Sequence, residues 1–213
     1  MIRSRCCLPV LTLAFLAQAA HAVPDANGAV TSTPAPDIST DTAMLARLNY
    51  NLGFERFEKT QQLEAEAAAL KGAKAREAQL SIARGYTEAR ERFRTVVGAD
   101  PNMKEAWNLI GYTSRRLGDY EASLTAYDAA LKLQPDYPEA IEYRAELFLL
   151  TGRLEDAKAA FALLAKASPS YANVLLQSMR DWVAAQRRTL AGVSAEQRDA
   201  FADWVAAQKS AAL

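Results

Sequence analysis

Four columns of residues recur along this chain at a spacing of 34. Pro101, Pro135 and Pro169 form one column, and Phe93, Tyr127 and Phe161 a second. Ala89, Ser123 and Ala157 form a third, and Tyr86, Tyr120 and Leu154 a fourth. A fixed period of this length marks a repeat architecture, in which each copy buries its apolar face only by stacking on a neighbour. In the copy from Lys104 to Tyr137, the residues Trp107, Ile110, Gly111 and Ser114 follow at i, i+3, i+4 and i+7, one face of a first helix. Gly118-Asp119 makes a turn. Tyr120, Leu124, Tyr127 and Leu131 then line a second helix, which Pro135 ends because proline cannot continue the hydrogen-bond ladder. Gly111 and Ser123 fall where the two helices must approach closely, and Trp107 and Tyr127 fill the gaps beside them. A larger residue at either small position would overpack that contact.

The stretch EAWNLIGYTSRRLGDYEASLTAYDAALKLQP closely resembles a tetratricopeptide repeat, whose pattern is a tryptophan, a Leu-Gly pair, a Gly-Asp-Tyr turn, Ala and Tyr/Phe in the second helix, and a closing proline. Residues 138–171 resemble it as well, through Ala145, Phe148, Gly152, Ala157, Phe161 and Pro169. The resemblance covers two full repeats and the second half of an earlier one. It departs at Ser114 and Arg144, where the family places a larger apolar residue; these sites are expected to be looser or to face a partner. The resemblance implies an all-α fold: a short right-handed α-solenoid of helix pairs, with an elongated N-terminal helical hairpin and C-terminal capping helices.

The hairpin follows from an irregularity. Gly53, in the run NLGFERF, matches Gly111 and Ala145. From Gly111 to Ser123, and from Ala145 to Ala157, is 12 residues; from Gly53 to Ala89 is 36. The first unit therefore holds 24 extra residues, rich in Ala, Glu, Lys and Gln, with one good break at Lys71-Gly72. Shared between two helices, the excess lengthens each by about 12 residues, or ~18 Å. The alternative is a helix break with disorder, since such segments form helices readily but pack weakly. The organisation expected is thus 41–103 as an irregular first repeat, 104–137 and 138–171 as regular repeats, and 172–213 as capping helices. In the last segment Leu175, Met179, Trp182 and Val183 share a helix face, and Ser194 with Gln197 forms a capping-box pattern before a final helix. Trp204 and Phe201 on that helix either pack or dock a partner; tryptophan is mostly buried on average, which favours packing.

Upstream of the repeats, Arg3 and Arg5, an apolar run from Cys6 to Ala17, and Ala20-His21-Ala22 read as a secretory signal at 1–22, cleaved after Ala22. Residues 23–40, with Pro24, Pro34 and Pro36, read as a flexible linker. A periplasmic or secreted location is expected. Cys6 and Cys7 are the only cysteines and His21 the only histidine, so all would leave with the signal. What remains has no thiol or imidazole for a disulfide, a Cys/His metal site or a Ser–His–Asp triad. Losing two arginines takes the 25 basic residues to 23 against 25 acids, a net charge of −2 that makes no electrostatic case for nucleic acid. No phosphate-cradling or calcium loop is present. Carboxylate pairs such as Glu55 with Glu58 and Glu139 with Glu142 have helix spacing and are expected on a solvated face.

An enzyme, a metal, a cofactor and a small-molecule substrate are therefore not expected. The expectation is an adaptor of the bacterial cell envelope that binds a partner protein's peptide or helix, and touches a membrane only through that partner. The alternative is a self-associating scaffold or assembly factor of an envelope complex, so homo-oligomerisation stays open. If the units stack as the resemblance implies, the first helices line a concave groove. Glu105, Asn108, Tyr112 and Arg115 share one stripe there, with Arg116 beside it. Glu139, Glu142 and Glu146 share the next, with Tyr143 beside it. Two arginines near one end and three acids near the other would suit a carboxylate or acidic segment, which guanidinium forks hold in paired hydrogen bonds. The competing reading is an ordinary wet surface in which both arginines pair with nearby acids.

Overall fold

The structure, a computed structural model, describes residues 38–185 and 192–209. The expected signal and cleavage site, the two cysteines, the histidine and the expected linker before residue 38 lie outside the described residues. Within them the chain forms eight helices and no strand: α1 (Ile38–Ala67), α2 (Gly72–Ala99), α3 (Lys104–Arg116), α4 (Tyr120–Leu133), α5 (Pro138–Leu150), α6 (Leu154–Ala167), α7 (Pro169–Ala185) and α8 (Ala195–Ala207). The first helix starts at Ile38, so the last three residues assigned to the linker belong to α1 instead.

Each helix packs on the next, and α5 also touches both α3 and α7 directly. The fold is an α-solenoid of helix pairs, and α1, α3, α5 and α7 form one row of it. The repeat columns explain the packing. Gly118 and Gly152 make the equivalent turns with φ of +79° and +74°, a region that glycine enters without steric cost. Asp119 caps α4 by accepting from the Ala122 amide. A Cβ at Gly111 would stand 2.5 Å from the Tyr127 ring, and Ser123 Oγ donates to the Gly111 carbonyl at 2.7 Å. Glycine, serine and the fully buried Tyr127 are thus three parts of one α3–α4 contact.

Trp107 is half-buried rather than enclosed. It packs against both apolar clusters, one over α1–α4 and one over α4–α8, and its indole N–H donates to the Pro101 carbonyl at 2.8 Å. The two departures from the family pattern differ in their surroundings. Ser114 is fully buried, and Arg144 pairs with Asp128 on α4 at 2.5 Å while covering the Phe148 ring.

The two long helices α1 and α2 run against each other along the chain's first unit, turning at residues 68–71. Gly53 and Gly85 mark close approach: a Cβ at the first would meet Arg92 and Phe93, and at the second Thr60. At the other end, Phe201 is buried, its ring meets Trp182 edge-on, and Trp204 meets Phe161 edge-on. Both residues therefore pack within the chain. Ser194 and Gln197 form the reciprocal capping box at the start of α8.

Candidate functional site

The row formed by α1, α3, α5 and α7 carries a continuous set of side chains. On α1, Tyr50, Phe54 and Phe57 follow each other in ring contact at 6.1 Å steps. Phe57 meets Tyr112 of α3 edge-on at 5.0 Å, and Tyr112 meets Tyr143 of α5 edge-on at 5.1 Å. Such edge-to-face pairs add about 0.5–1.5 kcal/mol beyond their buried area. The same period put these residues in register: Phe54 stands one residue after Gly53 as Tyr112 does after Gly111, and Phe57 occupies the place of Arg115.

The charges of the row are organised by pairs between neighbouring helices. Arg115 of α3 bonds Glu146 of α5 at 2.6 Å, and Ser178 of α7 donates to the other face of that carboxylate at 2.8 Å. Burial opposes the charge on Arg115, but Glu146 and the adjoining tyrosines outweigh it and hold the guanidinium firmly protonated. Arg116 pairs with Glu64 of α1, whose second oxygen accepts from Tyr86 at 2.7 Å. Gln61 donates to the Tyr112 hydroxyl at 3.1 Å, and the Arg115 guanidinium lies 5.1 Å over the Tyr112 ring. Burial pushes the Tyr112 hydroxyl up.

The nine residues singled out from the stripes do come together on this row, but not as two open arginines facing three open acids. Both guanidiniums are engaged within the chain, and they tie α1 to α3 and α3 to α5. Asn108, Arg115 and Glu142 are buried; Glu105, Tyr112, Glu139, Tyr143 and Glu146 are half-buried; Arg116 is exposed. Glu105 pairs with its neighbour Lys104 at 2.5 Å, and Glu139 accepts from the Tyr171 hydroxyl. Glu142 does not sit on a solvated face: it is 2% exposed, and burial together with the adjacent Glu146 raises its carboxyl well above the usual range. Glu55 is exposed and paired with Lys59. Spacing alone missed Phe57, Gln61, Glu64, Tyr171 and Ser178 as members of the row.

Among the described residues no group of three His, Cys, Asp or Glu side chains is placed to hold a metal ion. No described helix is long and apolar enough to cross a membrane.

A tetratricopeptide-repeat family model matches residues 82–123 and 113–172, the stretch that contains α3 to α6. Protein FlbA of Caulobacter vibrioides is 34% identical to the chain over 73 residues, which is 34% of this chain and 12% of that protein. The chain thus spans only a small fraction of that relative's length. Repeats of this family generally mediate protein–protein interaction and are not themselves enzymes. With the period, the Gly111–Ser123–Tyr127 contact and the match in agreement, residues 82–172 of the chain are tetratricopeptide repeats.

Proposed function

We propose that this protein is an exported, non-enzymatic adaptor of the bacterial cell envelope that holds a peptide or helix of a partner protein against the row of α1, α3, α5 and α7. The observation that supports this is the chain of ring contacts from Tyr50 to Tyr143 across α1, α3 and α5, bordered by half-buried carboxylates. Tyrosine suits such a surface because it offers apolar area with a polar tip. The predicted signal supports export, and the −2 charge of the processed chain leaves nucleic acid without an electrostatic claim.

Charge reversal at Arg115 is a poor probe of this reading. It would set a buried acid against Glu146 and cost about 3–5 kcal/mol of stability on its own. Photo-crosslinking is cleaner. A benzophenone amino acid placed at Tyr143 should yield a partner adduct in intact cells, and one placed at the exposed outer residue Leu163 should not. Adducts from position 163 alone, or from neither position, would sink the proposal.

A second reading, a self-associating scaffold, draws on α1. Met44, Leu45, Leu48 and Leu52 are 40–69% exposed on the helix that starts the array. Apolar side chains gathered in this way mark an interaction surface more often than isolated ones do. Sedimentation of the purified protein separates the two readings: a monomer excludes the scaffold, and a dimer lost on Leu48→Glu supports it.

A further inference from the structure

The geometry points to a proton-operated latch where α3, α5 and α7 meet: Glu142 holds Glu146 while it carries a proton, and the junction loosens when that proton leaves. The inference concerns how the row is held together, and it stands whether or not the adaptor reading does.

Glu146 is the hub of this junction. One of its oxygens bonds the Arg115 guanidinium of α3 at 2.6 Å, and the other accepts from the Ser178 hydroxyl of α7 at 2.8 Å. A third contact comes from its own helix, where Glu142, one turn earlier, is hydrogen-bonded to it. Ionised carboxylates only accept hydrogen bonds, so two carboxyl groups bonded to each other must hold a proton between them. Glu146 faces the guanidinium, which leaves the proton on Glu142. One carboxylate thus gathers donors from three helices.

Loss of the proton to water undoes this arrangement. The Glu142 donor becomes a second negative charge against Glu146. Glu142 is 2% exposed, so little solvent reaches it to soften the repulsion. Arg115 is then left between two carboxylates, and the cheapest relief is for the helices to part and admit water.

The surroundings set the direction of the response. Burial above all, then Glu146 and Glu139, raise the Glu142 carboxyl well above the usual range, while Arg115 opposes them. Tyr112 of α3 and Tyr127 of α4 stand against Arg115, and Tyr171 of α7 donates to Glu139. On α6, Glu155 pairs with Lys158 and Asp156 with Arg153. The folded value lies above the unfolded one, so the latch is closed in acid and opens as pH rises through the folded value. His21 is the chain's only histidine and lies outside the described residues, so the row holds no imidazole to titrate between about pH 5 and pH 8.

Hydrogen exchange of the purified protein, followed by mass spectrometry at those two pH values, tests the latch against Glu142→Gln. The glutamine keeps a donor for Glu146 and never ionises. Comparing the two proteins at one pH cancels the chemical rate of exchange. At the higher pH the amides of α3, α5 and α7 should exchange about tenfold faster in the wild type, and at the lower pH the two proteins should match. Residues 85–99 of α2, well buried but outside the junction, should match at both. Glu142→Met neither ionises nor shares a proton and should be equally indifferent to pH, so the test stands even if one variant does not fold. Equal exchange at the higher pH would overturn the inference. So would a difference that persists in acid, which would assign the effect to packing, or one of the same size in residues 85–99, which would assign it to global stability.

Discussion

The α1–α2 hairpin and the compact pairs α3–α4 and α5–α6 are made of the same kind of helix, yet they are held by different forces. The compact helices run 13–14 residues and bury residues at both ends. The hairpin helices run 30 and 28 residues, but beyond the Thr60–Gly85 contact only Ala78 is buried. Length is therefore no measure of stability here. A helix of this array is fixed by neighbours on two sides, and the distal hairpin has only its own partner and the good intrinsic propensity of Ala, Glu, Lys and Gln.

That contrast can be broken by mutation. The largest effect is expected at Tyr127→Ala, which empties the buried α3–α4 contact and should lower unfolding free energy by about 3–5 kcal/mol in urea titration. A loss below about 1 kcal/mol would mean the contact is not what fixes the pair. Gly111→Ala should cost about 1–3 kcal/mol by forcing a methyl group into the Tyr127 ring; a neutral result would show that the ring has room to move.

Glu142→Gln should act in the opposite direction. The carboxyl of Glu142 is raised in the folded state above its unfolded value. Folding therefore binds a proton more tightly, and the stability this brings is fully present below the unfolded value near 4.5 and lost as pH rises through the folded one. The glutamine variant lacks that loss. At neutral pH its Tm should be higher by on the order of 2–4 °C, and the gain should vanish below about pH 4. A gain that persists in acid would assign the effect to packing instead. The smallest effect belongs to the hairpin: Leu80, 73% exposed, should tolerate alanine within about 0.5 kcal/mol. A larger cost there would erase the distinction between the two regions.

The fold was legible because its constraints are local and periodic. Pro135, the Gly118-Asp119 turn and the Gly111–Ser123 spacing can each be read without knowing how the units stack. The row was half legible. Helical spacing placed Glu105, Asn108 and Tyr112 on one stripe, but it did not single out Tyr50, Phe54 and Phe57, although they stand in the same register about Gly53 as Asn108, Tyr112 and Arg115 do about Gly111. The pairings were not legible. Whether Arg115 faces a partner or Glu146, and Arg116 a partner or Glu64, depends on the stagger between helices in different units, which no single stripe encodes. Trp107 shows the same limit in the core: its column predicts a gap-filling residue, but its half-burial is set by how α2 and α4 flank it.

The two ends of the array are finished differently, and that gives the stack a direction. At one end α8 closes the layer, with Phe201 seated against Trp182 and Ser194 fastening the first turn. At the other, α1 leaves leucines at 45, 48 and 52 facing outward. Like a column with a capital but no plinth, its described residues leave a run of open leucines for another helix at the α1 end.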